Sequence, residues 1–419
     1  MRRIGILTEG FMAWGGGIDF LNMIADCLGL ANNGPPELLL LVPRPTAISR
    51  GRSLLLPWYQ WLKTSCGQHR LVPWQQVLRE QNSQSLSSQL ARLREGMGTA
   101  LPVRYFKHDG ELDAIAQAEN LDCLLPSFRA LSIGVQTPWI GYIYDFQHRY
   151  LPHLFTEAER AARDANFRSM AKHARHVIVN SRNVQKDCVS FLGSSGASFI
   201  ALPFGASPNP DWLTAQPALL PKYDLPRRYF LVSNQFWTHK NHRIVFEALQ
   251  ILAKTTDYDD VGVVCTGSTV DERDRDYFPS LLRFLGENKL TDRVRILDYI
   301  PKRDQIEIMK YAISVVQPTL FEGGPGGGAV YDAVSVGVPA LVSDIPVNRE
   351  LESRDYQVQF FDPMNAAALA ELMLKQAQQK QSQHSAPGTL IENGLRRRAA
   401  VGKTIEATIE AARAAHTSS

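Results

Sequence analysis

The sequence predicts an α/β protein made of two doubly wound, Rossmann-like domains that face each other across a cleft. Three observations predict it. Short apolar runs alternate with helical stretches along most of the chain, the pattern of parallel strands joined by crossover helices. A proline-rich stretch without periodicity, residues 205–226, separates two such series. A glycine-dense block around Glu322 lies where a strand of the second series gives way to a helix, and doubly wound sheets bind ligands at the carboxyl ends of their strands.

The elements follow in order. In the first series the apolar runs 4–8, 38–42, 123–125, 140–144, 177–179 and 199–202 read as strands. In the second series the runs 229–232, 261–266, 294–297, 314–317 and 340–343 do so. The expected division is a first domain over 1–206, a linker over 207–226, a second domain over 227–388, and a helix over 389–419. The polar stretch 376–387 reads as an exposed loop.

Bulk properties exclude several classes. The chain has 419 residues, room for about two or three domains. Hydrophobic residues make up 44% and charged residues 21%, ordinary for a globular chain. A net charge of +3 gives no argument for nucleic acid. Cys27, Cys66, Cys123, Cys188 and Cys265 are scattered without metal-ligand spacing, which suits isolated thiols in a reducing cytoplasm. The first ten residues read as a strand, not a leader, and no apolar run is long enough to span a membrane. Residues 49–63 place Arg50, Arg52 and Lys63 around Trp58, Tyr59 and Trp61, so peripheral contact with a membrane and a core-packed insert are both open readings.

The block around Glu322 carries the chemistry. Glu322 is followed by Gly323, Gly324, Pro325, Gly326, Gly327 and Gly328, then by a helical pattern containing Asp332. Glycines allow backbone to approach a ligand, and N–H groups at a helix start favour an anion. Carboxylates on either side accept hydrogen bonds from hydroxyls. A sugar joined to a diphosphate would satisfy that set.

This block, with Ala333, Gly337, Pro339, Ser343, Asp344 and Pro346 after it, resembles the retaining glycosyltransferases of family 4, a group 1 family with the GT-B fold. The family places a second Glu eight positions after the first. Val330 stands at that spacing here and Asp332 two residues later, which reads as a glycine insertion with Asp in place of Glu. The resemblance implies two Rossmann-like domains, with the C-terminal helix crossing back to the first. It also implies that Glu322 holds sugar hydroxyls and Asp332 the ribose, with the backbone near Tyr299 beside the base. Gly326, Gly327 and Gly328 would bind the donor diphosphate.

Three further blocks bear on that site. In the segment 229–252, Lys240 matches the family's phosphate-clamping lysine, while Asn234 and Gln235 stand where Gly-Arg is usual. One positive charge is therefore missing: either another basic group such as His239 or Arg273 replaces it, or the diphosphate leans more on helix amides. In the segment 140–155, Tyr144 replaces the family's His, Asp145 matches its Asp, and His148 follows on the loop. Asp145 and His148 are candidate cleft residues, with a structural role for His148 equally open. Near the start, Gly15, Gly16 and Gly17 form a glycine-rich turn after the first strand, and Gly16 and Gly17 are candidate donor contacts. The contiguous glycines are not the dinucleotide fingerprint, which argues against a dehydrogenase. The charge run 271–276 reads as a solvated face, and no metal is expected.

The function implied is transfer of a sugar from a nucleoside-diphosphate donor to a hydroxyl of a glycan or lipid-linked acceptor, with retained configuration, in bacterial surface-polysaccharide assembly. No separate cofactor is implied. The departures at Tyr144, Gln235 and Asp332 keep a second reading open, a non-catalytic nucleotide-sugar-binding or partner protein on the same fold. A sugar epimerase or phosphorylase is a further alternative.

Overall fold

The structure is a computed structural model that describes residues 2–12, 15–31, 34–44, 86–96, 101–254, 258, 260–271, 273–379 and 385–417. The candidate membrane segment 49–63 lies outside the described residues, as do 380–384 of the polar loop.

The first domain holds β1 (Arg3–Leu7), α1 (Gly15–Gly29), β2 (Glu37–Pro43), α2 (Leu86–Gly96), β3 (Val103–Phe106), α3 (Asp109–Ala118), β4 (Cys123–Ser127) and β5 (Trp139–Ile143). It continues through α4 (Gln147–Tyr150), α5 (Glu157–His173), β6 (His176–Val179), α6 (Arg182–Leu192) and β7 (Ser198–Ala201). The second holds β8 (Arg228–Ser233), α7 (His242–Leu252), β9 (Val261–Thr266), α8 (Tyr277–Glu287), β10 (Val294–Ile296), α9 (Lys302–Lys310), β11 (Val315–Gln317), α10 (Gly327–Val336), β12 (Ala340–Ser343), β13 (Val358–Phe361) and α11 (Ala366–Gln378). The last helix is α12 (Pro387–Thr417).

Every strand pairing is parallel. The first sheet runs β3-β2-β1-β4-β5-β6-β7 and the second β10-β9-β8-β11-β12-β13. Strand order reverses between β1 and β4 in one sheet and between β8 and β11 in the other, so each sheet has one switch point where crossovers diverge and leave a crevice. The eleven sequence-derived strands coincide with observed ones within a residue or two. The edge strands β3 and β13 have no counterpart among the sequence-derived runs. Their short sequences, VRYF and VQFF, are only partly buried and mix polar with apolar residues, so no continuous apolar run marks them.

The segment 205–226 is not a free tether. It forms 3-10 turns at Pro210–Leu213, Pro217–Leu219 and Pro221–Tyr223. Trp212, Leu213, Leu220, Tyr223 and Leu225 pack on the second domain's core. Lys310 Nζ donates to the carbonyls of Trp212 and Thr214, both at 3.0 Å.

Helix α12 belongs by packing to the first domain. Its Val401, Ile405, Ile409 and Ala412 are buried with Ile18, Leu21, Ile24 and Cys27, and it lies along α1. Arg398 pairs with Asp26, and Arg2 with Glu406. The two helix backbones approach most closely at Gly402, where a Cβ would collide with the Cys27 carbonyl oxygen. Among the described residues no helix is long and apolar enough to cross a membrane.

Overpacking a helix contact of this kind destabilises by about 1–3 kcal/mol. Gly402→Val is therefore expected to lower the melting temperature measurably by circular dichroism, and an unchanged melting curve would show that α12 is not pressed onto α1.

Candidate functional site

The second sheet's switch point brings together the loops after β8 and β11. Asn234 is buried at the first, and its Nδ2 donates to Oε1 of Gln317, the last residue of β11. Gln317 Nε2 donates to Glu322 Oε1 at 3.0 Å, and Lys240 Nζ donates to the same oxygen. Asn241 holds Lys240 in place by turning the chain through the left-handed region, φ 53°, between the turn Thr238–Lys240 and α7. The result is one hydrogen-bonded chain, Asn234–Gln317–Glu322–Lys240, at the mouth of the sheet.

The glycines after Glu322 have distinct tasks. Gly326 and Gly327 adopt φ +70° and +59°, and a Cβ on Gly327 would press on the Glu322 carboxylate at 3.0 Å. Gly326 N donates to Asn348 Oδ1 at 2.8 Å, and Asn348 Nδ2 donates to the Ser343 carbonyl at 2.8 Å. That anchor fixes where α10 begins. Around Gly328 the space is open. The first turn of α10 holds N–H groups without helical partners, the requirement for receiving an anion.

The first domain supplies the opposite wall. Asp145 follows β5 and accepts from Gln147 N at 2.9 Å. Burial pushes its carboxyl up to about 6, with the nearby charge of Glu322 acting the same way, while the Gln147 N–H, Arg163 and Lys240 oppose the rise. Gly323 makes the contact between walls. A Cβ there would stand 2.8 Å from Asp145 Cβ and 2.7 Å from the Tyr144 carbonyl. Ser181 Oγ donates to the Gly323 carbonyl at 3.0 Å. Glu350 accepts from the Arg182 and Asn183 N–H groups at 3.0 and 2.8 Å, so a carboxylate of one domain caps α6 of the other.

His148 does not join this group. It is 1% exposed, ringed by Phe146, Phe155 and Phe167, with Nε2 2.9 Å from Asp164 Oδ1. Burial holds its ring below the ordinary histidine range, Asp164 opposing. The structure thus brings Asp145, Lys240 and Glu322 together and leaves His148 in the packing behind them.

Asp332 lies on α10 and pairs with Lys302 at the start of α9. Burial raises its carboxyl, which Lys302 opposes and Asp19 reinforces. Asp19 belongs to α1 in the first domain, and burial raises it too, against the charges of Lys302 and Arg92. The cleft therefore places Asp19 opposite Lys302 and Asp332. Val330 is fully buried and sits against Gly326, so position 330 faces the packing and the helix carboxylate stands at 332 instead. Gly16 is exposed, whereas a Cβ on Gly17 would strike the Phe11 backbone, so Gly17 serves the turn's packing.

Gln235 is exposed, as is Tyr299, which is 81% exposed on the loop before α9. Of the two candidate replacement cations, His239 is buried and pushed down to about 2, with Lys240 and Arg273 acting in the same direction. It carries no charge near neutral pH. Arg273 lies 5.0 Å over the Trp237 ring and 3.2 Å from Asp271 Oδ1, and it keeps its charge. Among the described residues no group of His, Cys, Asp and Glu could hold a metal.

Gln317, Asn348, Asp19, Lys302 and Arg163 were not singled out from the sequence. Gln317 had a signal, a polar residue closing the apolar run 314–317 at a strand's carboxyl end. The others depend on contacts between elements distant in sequence.

Residues 221–390 match the family model described as Glycosyl transferases group 1. A search of curated proteins returned no match. Among solved structures, the chain resembles HepE of Anabaena in complex with UDP and glucose, at 13% identity and TM-score 0.59, covering 98% of this chain and 100% of that one. It also resembles sucrose-phosphate synthase of Thermosynechococcus elongatus, at 13% identity and TM-score 0.59 over 100% of both chains. A third is α,α-trehalose 6-phosphate synthase of Burkholderia multivorans, at 11% identity and TM-score 0.55 over 99% of both. The chain has the GT-B fold, and its second domain carries the match to the group 1 glycosyltransferases.

Proposed function

We propose that the protein is a retaining glycosyltransferase that binds a nucleoside-diphosphate sugar across the second sheet's switch point. The observation that carries this is the convergence of Lys240, Glu322 and the open start of α10 within a cleft whose far wall is Asp145. Lys240 supplies a point charge for the diphosphate. The α10 N–H groups add a fixed dipole where negative charge grows on the leaving phosphate. Glu322 would exchange its bond to Lys240 for sugar hydroxyls when the donor arrives. Asp332 would accept from the ribose once Lys302 yields. HepE is a structural neighbour solved with UDP-glucose, which makes UDP-sugars the first donors to try. The acceptor hydroxyl would attack on the face that the diphosphate leaves, and domain closure would exclude water. Assembly of a bacterial surface polysaccharide is the setting this reading favours, with no separate cofactor.

The lead experiment is a thermal-shift screen with UDP-, GDP-, ADP- and dTDP-sugars, followed by transfer assays on whichever donor binds. Lys240→Ala is expected to abolish the shift and to lower kcat by about 10²–10³, the usual effect of removing one group that stabilises a leaving charge. Glu322→Gln is expected to lose discrimination between sugars while keeping affinity for the free nucleotide. A donor that binds but is never turned over would favour the non-catalytic reading, which the departures at Tyr144, Gln235 and Asp332 motivate. No shift with any donor, from folded protein, would overturn both.

Asp145 gives an independent test. The folded chain holds its proton more tightly than the unfolded chain, whose pKa is about 3.9. The stability it contributes is thus present below that value and is lost as pH rises through about 6. Asp145→Asn is expected to stabilise the protein by about 1–3 kcal/mol at neutral pH and to flatten the pH dependence of denaturant midpoints in that window. Sugar transfer should fall at the same time. A variant no more stable than the parent would show that Asp145 is well solvated.

A further inference from the structure

Arg163 is a cation on the cleft wall that the donor site does not use. It stands on α5 with its guanidinium 4.6 Å from the Phe155 ring centroid and 5.3 Å from that of Tyr144. Its nearest carboxylate oxygen is Asp145 Oδ1 at 3.9 Å, beyond hydrogen-bond reach. Its side chain is 30% exposed, and among the described residues none of its N–H groups donates a hydrogen bond. The neighbouring arginines differ. Arg149 Nε donates to Asp164 at 2.9 Å, and Arg168 Nη2 does so at 3.4 Å. Arg163 thus lies within cation–π range of two rings, with its guanidinium donors open.

It also faces the cleft. Asp145 is the residue the two walls share: Gly323 packs on its Cβ, and its carboxyl feels the charges of Arg163, Glu322 and Lys240. One turn earlier on α5, Glu159 lies within electrostatic reach of both Arg163 and Arg273 of the second domain. This wall therefore looks across at the donor domain. The Tyr144 hydroxyl beside it is pushed up to about 12, chiefly by burial, so it remains a donor at neutral pH.

Building on the donor reading above, we propose that Arg163 binds a phosphate group carried by the acceptor. The donor diphosphate has its own cation and amides on the opposite wall, and the Asp145 carboxylate beside Arg163 disfavours a shared site. An anion at Arg163 therefore belongs to the second reactant. Asp145 competes weakly for the guanidinium. A phosphate near neutral pH carries close to two charges and three acceptor oxygens, and it displaces that competitor better than a carboxylate does. The acceptor is then a phosphorylated sugar or a lipid whose sugar is linked through phosphate. Both present phosphate oxygens, a monoester near two charges in the first and a diester with one charge in the second, and Arg163 positions them while the hydroxyl reaches the donor.

Calorimetry on the full chain, saturated with whichever nucleoside diphosphate binds it, separates the sources. The probes are glucose 6-phosphate against glucose and glucuronate, and farnesyl phosphate against farnesol. In one pair the phosphate-bearing probe should bind at least about tenfold more tightly than its neutral counterpart, the scale of one charge-assisted contact. Arg163→Met should abolish that preference, and Arg163→Lys should keep part of it. Affinity for the nucleoside diphosphate should stay within about twofold in both variants. Equal binding of charged and neutral probes, or a preference that survives Arg163→Met, would overturn the assignment. Glucuronate binding as well as glucose 6-phosphate would overturn the choice of phosphate. Loss of nucleoside diphosphate affinity in Arg163→Met would give the arginine to the donor instead. If the parent chain binds no nucleoside diphosphate, the donor reading fails by itself. The same probes without nucleotide then decide Arg163 alone, a phosphate preference that depends on it upholding the proposal and its absence overturning it.

Discussion

The contact of Gly323 with Asp145 is the constraint on which the arrangement depends. Backbone of one domain lies against the side chain of the other with no room for a Cβ. Glu322, one residue earlier, is thereby carried to the wall of the first domain. The hydroxyl of Ser181 and the carboxylate of Glu350 hold the same seam on either side. These are directional bonds of modest net worth, and water can replace each of them. Such a seam can open for a ligand and close again without unfolding either core.

Charge at the site follows from that closeness. Lys240 meets Glu322, Lys302 meets Asp332, and Asp145 is left with an arginine just out of bonding range. In each pair a donor ligand could replace one partner, so the residues that would bind substrate satisfy one another meanwhile. Burying an unpaired charge is costly, and pairing keeps the cleft from bearing that penalty. Asp145 has the most distant partner, and burial raises its carboxyl as it does that of Asp332.

Much of the fold was legible because parallel strands buried on both faces read as continuous apolar runs. Strands β8, β9, β11 and β12 are of that kind. The edges β3 and β13 are not, and their partial burial removes the signal. At the site, Glu322, Lys240 and Asp145 could be found because each lies at a strand's carboxyl end within a recognisable block. Asp332 could be singled out only by allowing for the extra glycines, and Val330, at the usual spacing, is buried. His148 illustrates the limit. A histidine on a loop after a strand can turn to the cleft or to the core, and the choice rests with Phe146, Phe155, Phe167 and Asp164, three of them on later segments. Arg163 and Asp19 are invisible for the same reason, since nothing local distinguishes them from other charged residues on helices.

Helix α12 joins the first domain although the chain reaches it from the second. The polypeptide therefore crosses between the domains twice, near 204–207 and again between α11 and α12. The crossings lie close together, because Arg397 on α12 donates to the Ala206 carbonyl and the Phe204 ring rests on Tyr331. Two bodies joined at a pair of adjacent points behave like a door on two pins. They can swing about the line through those points but cannot drift apart or rotate freely. Any closure about that line would return Gly323 to the same place on Asp145, so the register of the two walls is built into the path of the chain.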